Sequence, residues 1–307
     1  ADTASSSINS LVFEGLIALD DKLEYRSRLA TSWIQSEEVF LVVDHRHYFE
    51  KIEKRLPTSA DWVDYIETSL KENQHWITNI KSVEVVLGKA IQGSIQVPTL
   101  GNGGLPEISQ GRPRMEPVFY TLQYPDRIKF TLNRIDQDFF NPIKELIGEE
   151  YFKKFPYDDF VSAKKSSQYD RLKPYFSEIL PLTEHNPILA FDLRRGVRFH
   201  DGHEFDSGDV LFTYQSIMDV KTASPRRSDY EPVKLARVEG PYKMRITYKR
   251  LFSPAINSWS MGILPEHLLN AEALRKEAFI NKADPKEFTI RDSRFNRNPI
   301  GTGPFRF

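Results

Sequence analysis

Apolar and polar residues are arranged most informatively between residues 188 and 212, where their order predicts a strand, a turn, a second short strand and a capped helix. The apolar-rich run 188–193 is typical of a strand, and a polar break separates it from the shorter run 197–199. Asp206 then stands where a helix N-cap is expected, with Asp209 three positions on and an apolar run directly after it. None of these residues forms a catalytic motif.

The order of residues in this stretch resembles a signature of the family 5 extracellular solute-binding proteins, the peptide/nickel class that supplies ABC importers. The positions that match the family pattern are Leu193, Arg194, Gly196, Val197, Phe199, Asp201, Gly202, Asp209 and Val210. At the helix start the family usually has Thr-Ala, whereas this chain has Asp206 and Ser207. Because Asp and Thr both cap helices, this departure leaves the resemblance intact.

Other parts of the chain agree with the same family in the expected order. Four stretches carry the agreement: residues 11–16 (the opening strand), 29–33 (L-A-x-S-W), 259–269 (I-x-P-x-H) and 298–305 (N-P-x-G-T-G-P-Y/F). Ordered matches are far more specific than a single motif. The resemblance therefore covers residues 1–36 and about 186–307.

The resemblance implies an α/β fold, a periplasmic-binding-protein-like (type II) lobe with a mixed β-sheet, formed by residues 1–36 and 186–307. In this lobe we expect a strand over residues 11–17 to lie beside a C-terminal strand over residues 303–307. In the family the Gly-Thr-Gly-Pro segment leads from the first lobe into a second one. The resemblance thus implies a fragment of a two-lobe protein, with a leader removed upstream and a hinge at Gly301, Thr302, Gly303 and Pro304.

Residues 37–185 separate the matching parts and predict an inserted α+β subdomain. Its pattern predicts helices over 61–70 and 139–155, strands over 82–87 and 89–97, and a loop rich in glycine and proline over 100–114. A gapless shift of 148 positions places Phe40 on Ile188 and Thr58 on Asp206, and a shift of 116 places 125–134 on 241–250.

Two interpretations of this internal similarity stay open. Strands followed by capped helices resemble one another by chance, or the insertion is a decayed repeat of residues 188–250. The repeat hypothesis predicts a strand over residues 40–46. It also predicts that Thr58 caps the following helix by accepting a hydrogen bond from the backbone N–H of Ala60 or Asp61.

Composition narrows the possible chemistry. A net charge of −1 offers no basic surface for nucleic acid, and the absence of cysteine excludes disulfides and thiolate chemistry. His200, Asp201 and His203 could present two imidazoles and a carboxylate to a metal, so a metal-dependent hydrolase is a remote alternative. A turn needs Asp and Gly for its backbone conformation alone, however. We therefore predict no catalytic residue, no metal and no cofactor.

The predicted function is that of the substrate-binding component of an ABC importer. It would capture oligopeptide- or dipeptide-like ligands between two lobes and deliver them to a membrane permease. The candidate ligand-binding residues are Phe13, Glu14, Gly15, Leu16, Trp259 and Met261. Glu14 would meet the positive end of a ligand. The same residues are equally consistent with core packing and a strand edge.

Other functions remain compatible with the sequence. One alternative is that the same fold binds a nickel chelate or an oligosaccharide. Another is that residues 101–114 dock a partner protein. The family resemblance implies a bacterial protein in the periplasm or on the cell surface, anchored to the membrane.

Overall fold

The computed structural model describes residues 11–46, 57–72, 79–101 and 103–307. The chain divides into two compact units: unit 1 comprises Ala1–Ser36 and Asn186–Phe307, and unit 2 comprises Glu37–His185. The divisions fall within two long strands, β3 (Ala30–Val42) and β11 (Thr183–Leu193). Each unit is described separately below.

Unit 1 combines antiparallel strands with short helices. Its further strands are β1 (Ile17–Leu19), β2 (Tyr25–Ser27), β12 (Val233–Gly240) and β13 (Lys243–Tyr248). Its α-helices are Ser207–Met218, Arg227–Tyr230, Ala255–Ser258, Glu266–Leu269 and Ala271–Ile280, with 3-10 turns at Val220–Thr222, Ile290–Asp292 and Arg294–Asn296. β13 lies between β12 and β11, and β1 pairs with β2.

The core of unit 1 forms where the inner faces of β11 and β13 meet the helix Ser207–Met218. Its buried members include Leu189, Phe191, Phe205, Val210, Tyr230, Met244, Ile246, Tyr248 and Trp259. The helix begins at Ser207 because Asp206 caps it. The Asp206 carboxylate accepts the Gly208 N–H at 2.7 Å, and the Asp206 N–H donates to Asp209 at 3.0 Å.

Unit 2 contains the following strands besides its part of β3: β4 (Ile80–Val86), β5 (Lys89–Pro98), β6 (Ile108–Ser109), β7 (Arg112–Pro113), β8 (Met115–Tyr124), β9 (Arg127–Leu132) and β10 (Val161–Ser162). Its α-helices are Ser59–Glu72, Phe140–Ile147, Glu149–Lys153, Ser166–Leu172 and Phe176–Ile179, with 3-10 turns at Tyr157–Asp159 and Lys173–Tyr175. β9 lies between β3 and β4, and β8 lies between β5 and β10.

The core of unit 2 is rich in aromatic residues. Its largest buried members are Trp62, Phe130, Phe139, Phe140, Tyr151, Phe155 and Phe176. Aromatic rings meet edge to face, as at Phe139 and Phe140, whose centroids lie 5.3 Å apart. Both units combine helices with multi-stranded sheets, so the predicted α/β class is confirmed.

Several predicted elements have different bounds in the structure. The predicted helix over 139–155 is two helices, because Gly148 adopts φ +93°, which a continuous α-helix does not allow. The strand expected over 40–46 ends at Val42. The loop predicted over 100–114 carries the small hairpin β6–β7, and Asn102 lies outside the described residues.

The predicted strands at the two ends of unit 1 are also corrected. β1 begins only at Ile17, and residues 303–307 contain no strand. The two segments nevertheless lie side by side, because Gly303 N–H donates to Val12 O at 2.8 Å and Phe305 N–H donates to Leu11 O at 3.1 Å. Isolated hydrogen bonds of this kind hold the segments together without forming a regular strand ladder.

Within the described ranges, no helix combines the length and the apolar character that crossing a membrane requires.

Candidate functional site

The predicted ligand-binding residues occupy two segments of unit 1 that run alongside each other. Leu16 N–H donates to Trp259 O at 3.0 Å, and Ile263 N–H donates to Glu14 O at 2.9 Å. Residues 13–16 and 259–263 therefore form one continuous backbone-bonded patch, although almost 250 positions separate them in the chain.

Two glycines allow this close approach. A Cβ atom at Gly15 would lie 2.5 Å from the Ser260 carbonyl carbon, and one at Gly262 would lie 2.5 Å from the Phe13 Cβ. Real Cβ atoms do not approach other heavy atoms this closely. Any side chain at Gly15 or Gly262 would thus push the two segments apart, so glycine is required at both positions for a steric reason.

Three of the candidate residues have side chains in the core. Trp259 is fully buried and its indole N–H donates to the Tyr248 hydroxyl at 2.9 Å. Leu16 is fully buried, and Met261 is 4% exposed with its sulfur accepting the Tyr230 O–H. These side chains are closed off from a ligand, so they can shape a binding surface but cannot form one. A role of these three residues in binding stays a prediction, limited to shaping the surface from beneath.

Phe13 and Glu14 remain available at the surface of the patch. Both are partly exposed, and the Phe13 ring lies 6.0 Å from the Phe295 ring. Among the residues that the structure describes, no hydrogen-bond or ion-pair partner contacts the Glu14 carboxylate. A carboxylate with free acceptor sites beside an aromatic ring is suited to a cationic group on an organic ligand.

The predicted hinge segment is held against the same patch. A Cβ atom at Gly301 would lie 1.9 Å from Val12 O, and one at Gly303 would lie 2.4 Å from Leu11 O. The backbone of residues 301–303 therefore lies directly on that of residues 11–12. Hinge motion at Gly301, Thr302, Gly303 and Pro304 stays a prediction. Such motion would have to break these backbone contacts.

His200 fastens this segment in a way that the sequence did not indicate. Its N–H donates to Gly301 O at 2.9 Å, its Nε2 donates to Gly303 O at 2.8 Å, and its Nδ1 accepts the Gly301 N–H at 3.4 Å. These three hydrogen bonds fix the orientation of the imidazole ring. His200 thus serves as a clamp between the turn and the C-terminal segment.

The second histidine of the turn, His203, stacks on His267 of the helix Glu266–Leu269. The rings of His203 and His267 lie 3.8 Å apart at 20°, and His267 Nε2 donates to Asp201 at 2.7 Å. Burial alone would raise the pKa of Asp201, but the hydrogen bonds from His267 and the His203 N–H outweigh it and lower that pKa. In the described part of the chain no group of three His, Cys, Asp or Glu residues is arranged to hold a metal. The metal-site alternative at His200 and His203 thus gains no support from the geometry.

The helix Ser207–Met218 positions the segment that follows the patch. The buried Asp209 carboxylate accepts the Glu266 N–H at 2.9 Å, and the Thr213 hydroxyl accepts the Leu264 N–H at 2.9 Å. Desolvation by burial raises the pKa of Asp209. The sequence predicted Asp209 only as a helix-capping residue, since the second partner lies 57 positions away.

Unit 2 has a charged cavity of its own, of about 490 Å³, that the sequence did not predict. Its charged lining residues are Asp44, His45, Arg46, Lys89, Asp126 and Asp159. Arg46 donates to Asp44 at 3.0 Å and also pairs with Asp159, while His45 Nε2 lies 3.5 Å from Asp126. Arg46 is thus paired with two of the three carboxylates of this cavity.

Comparison with known proteins agrees with the motifs. Residues 184–307 match the family model of bacterial extracellular solute-binding proteins, family 5, middle region. The oligopeptide-binding protein AppA of Bacillus subtilis (strain 168) is 34% identical over 126 residues, 39% of this chain and 20% of AppA. Protein XP55 of Streptomyces lividans is 31% identical over 135 residues, 44% of this chain and 22% of that protein.

A solved structure matches to a similar extent. NikZ from Campylobacter jejuni in complex with Ni(L-His) is 29% identical, with 39% of this chain and 21% of that chain covered and a TM-score of 0.33. This chain spans about a fifth of the length of the curated relatives it matches. The similarity to family 5 extracellular solute-binding proteins is thus concentrated in residues 184–307.

Proposed function

We propose that this chain belongs to the substrate-binding component of an ABC importer and contributes one of two lobes that close on an oligopeptide- or dipeptide-like ligand. The observation that carries the proposal is the family 5 match over residues 184–307, together with 34% identity to an oligopeptide-binding protein. The component delivers its ligand to a membrane permease and catalyses no reaction.

Glu14 and Phe13 are the residues we assign to the ligand. Glu14 pairs with the ammonium end of a peptide, and Phe13 supplies apolar contact beside it. The support for this assignment is that both side chains are partly exposed on a patch whose two segments are joined by backbone hydrogen bonds. In the recognition of extended peptides, backbone hydrogen bonds supply much of the affinity, which makes the identity of the ligand side chains secondary.

Calorimetry on the full-length protein tests this assignment with a tripeptide as the probe. Glu14→Gln should weaken binding by about tenfold or more, since a hydrogen bond to a charged group is lost. Asp21→Asn is the matched control, because Asp21 is an exposed carboxylate of the same N-terminal region. Equal affinity of Glu14→Gln and the unaltered protein would remove Glu14 from the site.

The chain of residues 1–307 by itself should bind the same tripeptide weakly or not at all. Closure of a second lobe is what buries most of the ligand and excludes water. Micromolar or tighter affinity for this chain alone would contradict the two-lobe proposal. A nickel–histidine complex, titrated into the full-length protein beside the tripeptide, distinguishes a metal chelate from a peptide as the preferred ligand.

We also propose that the protein works outside the cytoplasm, in the periplasm or anchored to the outer face of the cell membrane. Cell fractionation with an antibody against the chain tests this location. Recovery in the cytoplasmic fraction would contradict both the location and the delivery to a permease.

A further inference from the structure

The arm of unit 2, defined here as the hairpin of β5 and β8, presents a face with an exposed aromatic ring. Side chains alternate between its two faces, and on β8 residues Val118 and Leu122 are buried while Phe119 and Gln123 are exposed. Phe119 is 62% exposed. Single exposed apolar side chains are common on protein surfaces, so the significance of Phe119 depends on the groups beside it.

The neighbours of Phe119 on this outer face are neutral and polar. Phe119 pairs with Ser94 across the hairpin, and Thr121 pairs with Gln92 on β5 and with Ser162 on β10. A row of amide and hydroxyl groups thus runs across the three-stranded sheet beside the ring. Regular strands carry these residues, which gives the row a fixed spacing.

This face also contains a concavity. A cavity of about 350 Å³ is lined by Gln92, Ser94, Phe119 and Thr121, with Gly93, Tyr120, Ala163 and Lys164 completing it. Its volume lies at the lower end of the range of roughly 300–1,000 Å³ that is common for small-molecule sites. A ligand of one or two rings fits such a space.

The chemistry of the lining discriminates between ligand classes. It includes no carboxylate, so the ammonium group of a free peptide would lose its hydration without gaining a counter-ion. A purely apolar ligand would leave the amide of Gln92 and the hydroxyl groups of Ser94 and Thr121 unpaired. The one charged group of the lining, Lys164, is exposed to solvent and stays hydrated without a ligand, so the lining favours a molecule that has both an apolar face and many hydroxyl groups.

A pyranose ring has these two properties. The C–H groups on one side of the ring carry partial positive charge and match the negative face of an aromatic ring. Its hydroxyl groups both donate and accept hydrogen bonds, as the Gln92, Ser94 and Thr121 side chains do. We propose that the outer face of the arm is a saccharide-binding subsite in which Phe119 stacks on a neutral sugar ring. This subsite is independent of the peptide site proposed for unit 1.

Saturation-transfer NMR and calorimetry on the purified chain test the subsite, with maltose, cellobiose, lactose and chitobiose as probes. At least one of these disaccharides should bind, and Phe119→Ala should weaken its binding about tenfold through loss of the stacking contact. Gln92→Ala should weaken the binding by a smaller factor. Circular dichroism should show an unchanged fold, because Phe119 is exposed.

Met115→Ala is the matched control. Met115 is 48% exposed on the same strand and the same face, and it does not line the cavity. Its substitution should leave saccharide affinity unchanged. The proposal is overturned if no disaccharide of the panel binds, if Phe119→Ala and Met115→Ala have equal effects, or if a tripeptide binds with the same dependence on Phe119. None of these outcomes changes the Glu14 experiment, so the two proposals fail separately.

Discussion

In unit 2 the chain runs from β3 through the helix Ser59–Glu72 to β4 and β9, and β9 inserts between the other two strands. In unit 1 it runs from β11 through the helix Ser207–Met218 to β12 and β13, and β13 inserts in the same way. The two modules, named here the β3 module and the β11 module, thus share element order and strand order. The same local arrangement of strands and helix is therefore found in two units whose other elements differ.

An irregularity is shared as well. In the β3 module the pairing passes from Ile80↔Leu132 to Ser82↔Thr131, and in the β11 module it passes from Val233↔Tyr248 to Leu235↔Thr247. Each bulge skips one lysine, Lys81 or Lys234. Bulges are specific features that related proteins retain, so their coincidence favours a repeat over chance similarity. Common ancestry stays a hypothesis.

The modules differ where their hairpins end. β12 and β13 are joined by a tight turn at Pro241 and Tyr242, whereas the whole arm lies between β4 and β9. The register also differs, since Leu41 pairs with Ile128 but its counterpart Leu189 pairs with Ile246, two positions beyond the 116-residue shift. A two-residue difference keeps every side chain on its original face. A module of this type therefore tolerates changes at the hairpin tip and shifts of the strand register by an even number of residues.

The largest expected difference between the modules concerns the fourth residue of the helix. It is Trp62 in the β3 module and Val210 in the β11 module, and both are fully buried. Trp62→Ala should lower the free energy of unfolding by about 3–5 kcal/mol, and Val210→Ala by about 2 kcal/mol, because the indole leaves the larger cavity. Urea denaturation combined with hydrogen exchange would locate each loss. Equal losses, or exchange that increases in the wrong unit, would contradict the equivalence of the two positions.

The next effect concerns the acidic partner in each capping box. Asp61 accepts from Thr58, whereas Asp209 accepts from Asp206 and also from the N–H of Glu266, 57 positions away. Asp209→Ala should cost about 1–3 kcal/mol and Asp61→Ala about 1 kcal/mol, since loss of the Asp209 carboxylate leaves the buried cap and also the Glu266 N–H without an acceptor. Chemical denaturation of both variants measures the difference. A larger loss for Asp61→Ala would show that the β11 module does not use its cap as a tertiary anchor.

A smaller and equal effect is expected at the caps themselves. Asp61 N–H donates to the Thr58 hydroxyl at 3.2 Å, as the repeat hypothesis predicted, and Gly208 N–H donates to Asp206 at 2.7 Å. Thr58→Ala and Asp206→Ala should each cost about 1 kcal/mol, and Thr58→Ser should restore the cap. Thermal denaturation would compare the three variants. If Thr58→Ser is as unstable as Thr58→Ala, the hydroxyl is not the stabilising group.

The smallest effect is a difference in acid sensitivity. The first helical serine donates to a carboxylate in one module, Ser59 to Asp126 at 2.6 Å, and to a carbonyl in the other, Ser207 to Gly240 O at 2.7 Å. Burial opposes ionisation of Asp126, but the hydrogen bonds from Ser59 and Gly88 N–H and the nearby His45 lower its pKa below 3.8.

A lowered folded-state pKa contributes stability that is present above the unfolded-state value and is lost as pH falls through the folded-state value. The β3 module should therefore lose protection below about pH 4, and Asp126→Asn should make its stability less dependent on pH in that range. Hydrogen exchange of the two modules across acid pH provides the measurement. The same acid dependence in the unaltered protein and the variant would assign it to other carboxylates.

Local sequence chemistry was sufficient for the helix starts and for much of the strand content. Thr58 and Asp206 cap their helices as predicted, and β4 and β5 lie within two residues of the predicted bounds. Gly148 was present in the sequence as a break, but the apolar period on either side concealed it. The pattern of apolar residues indicates the period of a helix or strand, but it does not indicate the φ angle of a single residue.

The candidate site was predictable only in part. The sequence placed residues 13–16 and 259–261 in one site, and the structure joins them by backbone hydrogen bonds. It could not tell that Leu16, Trp259 and Met261 are core, because an apolar residue is equally suited to a pocket wall and to the interior. Burial depends on what the rest of the chain covers.

The sequence alone determined the elements that neighbouring residues specify: the capped helices, the strands and the family 5 motifs of residues 184–307. Only the tertiary structure decided that His200 clamps residues 301–303, that Asp209 serves two helix starts, and that Phe119 remains exposed on the arm. Each of these depends on groups far apart in the chain, whose approach is set by packing and register. Short-range propensities carry no information about such distances.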